Sequence, residues 1–338
     1  MTNIKLSILD QSPIISGHTP AQAVHETIRL AQAAEKLGYH RYWMAEHHSI
    51  AALADPCPEI LVTRVAAATS TIRVGTGGVL LPYYSAFKVA EQFRMLEALY
   101  PGRIDLGIGR APGGDQMTAL AMGEGRHSGA EHFPEQVQYL VAWLDNAIPA
   151  GHPFAKVQAM PAGPAAPQIW LLGSSDYSGA LAAQLGLRFA FAHFISAQGG
   201  DAVMRDYHAK YQPSAREPGP HALLCVFVIC AETGGEAERL AMSIDLRRLN
   251  MDYGINAAVP NYEEAVNYPY TEADRRRIAH HRRRIVLGAP DAVRARLLEL
   301  REAYQADELM VITITGDYGS RLRSYELLAD AFDLDRSA

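Results

Sequence analysis

Short apolar runs rich in β-branched and aromatic residues alternate along the chain with longer stretches whose apolar positions recur every three or four residues. The short runs predict strands at 4–9 (IKLSIL), 39–45 (YHRYWMA), 72–81 (IRVGTGGVLL), 103–109 (RIDLGIG), 168–173 (QIWLLG), 187–193 (LRFAFAH), 222–230 (ALLCVFVIC) and 308–314 (ELMVITI). The amphipathic stretches at 20–37, 85–99, 133–146 and 290–304 predict helices between them. Boundary signals agree. Thr19 before Pro20 is suited to cap the first helix, Gly38 stops it, and Ala289–Pro290–Asp291 opens the helix before the last strand. Eight strand runs alternating with helices predict an α/β fold, a (β/α)₈ TIM barrel formed as one domain over residues 1–338. A doubly wound open sheet is the competitor. It calls for fewer strands and a GxGxxG turn after the first one, where this chain has LDQSPIISG. Two connections, 111–132 and 251–284, are too long for plain turns; both follow strands, and 251–284 is expected to be a mobile lid.

Composition narrows the class. With 49% hydrophobic and 20% charged residues and a mean hydropathy of −0.08, the chain reads as a water-soluble enzyme. A net charge of −6 and a pI near 6.1 argue against nucleic-acid binding. Three scattered cysteines, Cys57, Cys225 and Cys230, form no CxxC pair and suit a reducing cytoplasm. The first residues, MTNIKLSILDQSP, read as a strand rather than a signal peptide, and no apolar run reaches 18 residues, so no membrane span is expected.

In a barrel of this kind chemistry belongs at the C-terminal ends of the strands. Those ends carry Asp10, Gln11 and Ser12; Glu46, His47 and His48; Gly77, Gly78 and Pro82; Arg110; Gly173, Ser174 and Ser175; and His193. Arg110, flanked by Gly107, Gly109, Gly113 and Gly114, suits a phosphate, although small residues also suit a crowded strand. In WLLGSSDYSG a strand ends at Gly173 and a helix begins among Ser174, Ser175 and Ser178, giving unpaired amides and hydroxyls for an anion; N-capping by Ser175 or Asp176 explains the same residues. One histidine of the His47–His48 pair could transfer protons or simply be satisfied by a backbone partner, and the pair lacks the His-x-His spacing of a metal site. Gly77–Gly78 inside an apolar strand marks either a bulge or a close approach by a flat ligand. The run RRRIAHHRRR at 275–284 reads as a solvated helix, with docking of a partner or an anionic ligand as the alternative.

Taken in order, WMAEHHS, VGTGGVLLPYYSAFKVAEQFRMLEALYPGRIDLGIGR, WLLGSSDYSGALAAQLG and IVLGAPDAV resemble the bacterial luciferase-like flavin-dependent monooxygenases over nearly the whole chain. That resemblance implies a (β/α)₈ barrel using reduced FMN as cosubstrate at its strand ends. Arg110, Gly173, Ser174, Ser175 and Ser178 would hold the phosphate, Gly77–Gly78 would form a non-proline cis peptide beneath the flavin ring, and His47 would transfer protons. Arg126 in the first long loop is a further phosphate candidate. It also implies O₂ and a small organic substrate as reactants, a separate NAD(P)H:flavin reductase as electron source, and a homodimer. The light-emitting enzyme has a carboxylate where Ser174 stands and a redox-active cysteine where Gly109 stands, so light emission is not expected. A deazaflavin (F420)-dependent oxidoreductase and a non-catalytic flavin-binding protein are the alternatives; a metal-dependent hydrolase built on His47, His48 and His193 ranks last.

Overall fold

A computed structural model describes residues 4–125 and 129–336; Arg126 lies outside the described residues. The strands are β1 (Lys5–Asp10), β2 (Arg41–Met44), β3 (Arg73–Leu80), β4 (Ile104–Gly109), β5 (Gln168–Gly173), β6 (Arg188–Ala192), β7 (Ala222–Cys230), β8 (Ile285–Gly288) and β9 (Glu308–Ile312). All pairings between them are parallel. Strands β1 to β7 follow one another around a barrel, and β9 closes it by pairing with both β7 and β1. These eight are the strands the hydrophobic pattern predicts. Boundary signals also hold: Thr19 and Gln22 form a capping box at the helix Pro20–Lys36. At Gly38 (φ +85°) an added Cβ would stand 2.3 Å from the Asp335 carbonyl oxygen.

Alternation along each strand sorts the core in two. On β7, Leu223, Cys225, Phe227 and Ile229 pack inside the barrel with Leu9, Trp43, Trp170 and Met310, whereas Leu224, Val226, Val228 and Cys230 pack against the surrounding helices. The floor of the barrel is charged. Arg41 donates to both Glu308 oxygens (2.7 and 2.9 Å) and to Asp105 (2.6 Å), while Arg73 and Trp43 complete the shell around Asp105. Burial alone would raise the pKa values of Asp105 and Glu308, but the Arg41 guanidinium holds both below the ordinary carboxylate range.

The ninth strand was not evident in the pattern. Phe227 pairs with Ile312 on one side and Ile285 on the other, so β8 lies on the β6 side of β7, beyond the end of β6. The segment between β7 and the helix Pro290–Ala303 is therefore an insertion, made of the helices Gly234–Asp252, Tyr262–Asn267 and Glu272–Arg282 and then β8. It begins well before residue 251 and is mostly helical rather than loop. It rests on the strand-end face: Ile15 bridges Val259, and Asn256 accepts from the Ala51 amide at 2.7 Å. The arginine run forms the helix Glu272–Arg282, as the pattern predicts, but it is only partly solvated. Arg282 pairs with Asp245 (2.6 Å) and Arg284 donates to the Ile195 carbonyl (2.9 Å). No helix among the described residues is long and apolar enough to cross a membrane.

Candidate active site

A cleft of about 290 Å³ opens at the C-terminal ends of the strands. His47, Gly77, Gly78, Arg110, Gly173, Ser174, Ser175 and Ser178 all line it. His193 does not: it is buried at the end of β6 beside Tyr304, with ring centroids 5.6 Å apart. Among the described residues no group of three or more His, Cys, Asp or Glu side chains is arranged to hold a metal ion.

One wall is an anion cradle. The helix Asp176–Gln184 starts after Ser175, whose extended backbone makes it the N-cap while its side chain caps nothing. The capping reading of Ser175 therefore fails. Asp176 instead accepts from the Tyr177 amide at 2.8 Å. Ser175 and Ser178 hydroxyls stand 3.3 Å apart. Gly173 is required here, because an added Cβ would lie 2.2 Å from the Ser178 side chain. Arg110 comes across from the end of β4 and stacks its guanidinium 4.2 Å from the centre of the Tyr177 ring. Helix amides, hydroxyls and a guanidinium thus face one side of the cleft, the donor set that a phosphate takes.

The floor is made of glycine. The Gly77–Gly78 peptide is cis, and the register of β3 against β4 slips between Thr76 and Val79. A Cβ at Gly77 would lie 2.6 Å from Leu9, and one at Gly78 would lie 2.6 Å from the Gly107 carbonyl. Apolar Leu9, Trp43, Leu172, Leu223 and Met310 finish the interior. A flat ring system fits such a floor, and the cradle beside it fits a phosphate.

Facing these, Glu46 ties the ends of β2 and β3 together. It accepts from the Leu80 amide (2.9 Å) and from Tyr84 (2.7 Å), and its other contact is His48 (2.7 Å). The paired histidines therefore divide their work: His48 is held by Glu46, while His47 lines the cleft with its Nδ1 buried and without a hydrogen-bond partner. Burial, and after it the Arg247 charge, lowers the His47 pKa to about 4, so the ring is neutral at neutral pH. The roles of Glu46 and Tyr177 were not read from the sequence. Glu46 had a signal, a carboxylate directly before two histidines at a strand end; Tyr177 had none.

A barrel with an anion cradle, a glycine floor and a neutral histidine at its strand ends defines a class of cofactor-using α/β-barrel enzymes. Within that class the chain belongs to the luciferase-like monooxygenase family, whose profile matches residues 4–306. It is 46% identical over 329 residues to the Bacillus subtilis (strain 168) protein YceB, covering 97% of this chain and 99% of that one. It is 37% identical over 327 residues to a luciferase-like monooxygenase of Escherichia coli (strain K12), covering 97% and 96%. The solved structure of apo-MsnO8 superposes with a TM-score of 0.91 at 41% identity, covering 99% of this chain and 100% of that one.

Proposed function

We propose that the protein is an FMN-dependent monooxygenase that uses externally supplied reduced FMN and O₂ to oxidise a small organic substrate in the cytoplasm. The observation that carries this reading is the meeting, in one cleft, of the uncapped helix start and Arg110 with the Gly77–Gly78 floor and His47. Arg110, Ser174, Ser175 and Ser178 bind the phosphate, with Gly173 giving Ser178 room, and the ring lies on Gly77–Gly78. Reduced FMN supplies the electrons that activate O₂. The apolar walls keep water from the reacting centre. His47, neutral at neutral pH and lining the cleft, accepts a proton there.

The chain carries no nicotinamide fingerprint, which supports a separate NAD(P)H:flavin reductase as electron source. The inserted segment that includes 251–284 serves as the lid. Ile60 on the helix Pro58–Ala68 and Met95 and Leu99 on the neighbouring helix Ala86–Leu99 are 67%, 52% and 55% exposed; such exposed apolar side chains support a homodimer.

Titration of the purified protein with FMN and with the deazaflavin F420 tests the cofactor. Tighter binding of F420 overturns the FMN assignment. Oxygen uptake with enzymatically reduced FMN, followed by mass-spectrometric search for a product heavier by one oxygen in ¹⁸O₂-labelled and unlabelled reactions, tests the reaction. FMN binding without product from any substrate in a broad screen points to a flavin carrier instead.

A further inference from the structure

The lining of the cleft falls into two halves. Glu46, His47 and Arg110 and the Gly173–Ser178 cradle stand at the ends of β2, β4 and β5, with the glycine floor on β3 among them. The other half is formed by β6, β7, β9 and β1 in that order round the barrel, and presents Ala190, Ala192, Leu223, Cys225, Met310 and Leu9. None of the carboxylates or cations that line the cleft lies on this second half. Burial pushes the Cys225 thiol up, so it too is uncharged. One strong hydrogen-bonding side chain faces the cleft there, Gln11.

The backbone aims Gln11 inward. Side chains alternate along β1: Leu9 and Gln11 line the cleft, while Asp10 between them turns away to Tyr42 and Arg321. Leu9 pairs with Trp43 in parallel register, and the Ala45 amide donates to the Asp10 carbonyl (3.0 Å). Two residues on, Gln11 therefore stands beside Ala45, one inward position before His47. A single short segment fixes both strand ends. The Ala54 amide donates to the Ser12 carbonyl (3.0 Å), and the Asp55 carbonyl accepts from the His47 amide (3.0 Å). Held in this way, the Gln11 side chain is partly buried and makes no hydrogen bond with any described residue. A carboxamide offers one acceptor and two donors and carries no charge. A charged group brought to this half would leave water and meet no counter-charge, whereas a neutral polar group finds a partner in the amide.

We propose that Gln11 holds the polar group of the organic substrate beside His47, and that this substrate is an uncharged molecule whose apolar body packs on the β6, β7 and β9 wall. This rests on the cleft being the oxidation site. The probes are octanamide, octanoate and octylammonium, titrated calorimetrically at pH 8 into the full-length protein, both saturated with FMN and free of it. The wild type is expected to bind octanamide at least about tenfold more tightly than octanoate or octylammonium. Gln11→Leu is expected to weaken octanamide about 2- to 10-fold, the scale of one hydrogen bond between neutral groups, with FMN affinity unchanged. Tm should not fall in Gln11→Leu, because the side chain has no protein partner to lose. Gln11→Glu places a carboxylate at the same point and should tighten octylammonium at least about tenfold.

No octanamide binding by the FMN-saturated wild type, or octanoate bound as tightly as octanamide, overturns the proposal. So does an octanamide affinity that survives in Gln11→Leu, or an octylammonium affinity that Gln11→Glu leaves unchanged. A loss of FMN affinity in Gln11→Leu would assign the amide to the cofactor, and a fall in Tm would assign it to the fold; either result also overturns it. Failure of the wild type to bind FMN at all refutes the functional reading separately, while the FMN-free titrations still report on Gln11.

Discussion

Replacing Arg110 by alanine separates the phosphate from the rest of the cofactor. Arg110 is exposed and is oriented by its stack on Tyr177, 4.2 Å away. A hydrogen bond to a charged group is worth about 1.5–3 kcal/mol, and exposure to solvent discounts it towards about 1–2 kcal/mol. At 1.4 kcal/mol per decade this is roughly a 5- to 30-fold loss of FMN affinity. Riboflavin has the same ring and side chain without the phosphate, so its affinity should not change. The assay is quenching of flavin fluorescence on titration with protein, run for both ligands with wild type and variant, and the readout is the ratio of their dissociation constants. The wild-type preference for FMN should shrink in Arg110→Ala and should also shrink as salt rises, since the contact is exposed. If Arg110→Ala weakens riboflavin as much as FMN, or leaves both unchanged, the cradle is not where the phosphate binds.

Other outcomes follow from the same geometry. His47→Ala should lower turnover by about 100-fold or more while leaving FMN affinity intact; because its pKa is lowered to about 4, the neutral ring persists through neutral pH and is lost only as pH falls towards 4, so the variant should also lack the acidic limb of the pH–rate profile. Unchanged turnover would remove His47 from the chemistry. Arg41→Ala leaves Asp105 and Glu308 buried without their main counter-charge and should cost about 3–5 kcal/mol in urea unfolding. That deficit should be largest above about pH 5, where both carboxylates are ionised, and should shrink as pH falls and they protonate; a deficit independent of pH would contradict the charge argument. Gly78→Ala places a methyl 2.6 Å from the Gly107 carbonyl and from Leu172, and should lower stability by about 1–3 kcal/mol together with FMN affinity. An unchanged urea midpoint would show that the floor yields.

The eight barrel strands were legible because each is buried on both faces and so reads as a nearly continuous apolar run. Strand β8 was not, because four residues directly after an arginine run carry too little periodicity to stand out. The serine turn was ambiguous in the sequence, because serine at a strand–helix junction serves as an N-cap as readily as it serves an anion. Whether Ser175 capped its helix was a matter of side-chain rotation, which sequence does not encode. The arginine run was only partly legible for another reason: Arg282 pairs with Asp245 and Arg284 donates to the Ile195 carbonyl, partners that lie far away in sequence. Pairings between distant elements decide such matters, and a local pattern carries no trace of them.

The position of β8 bears on how the entrance to the cleft can move. The inserted segment leaves from the end of β7 and returns as a strand hydrogen-bonded to residues 227–230 of that same β7. Both of its ends are thus sewn to one stave of the barrel. It cannot swing as a free flap hinged at a single point; it moves as a strap whose two anchors stay together. Amide exchange at Ala231, which donates to the Gly288 carbonyl at the end of β8, should accordingly slow or quicken in step with that of the helices above it, so that the wall itself reports whether the doorway is open.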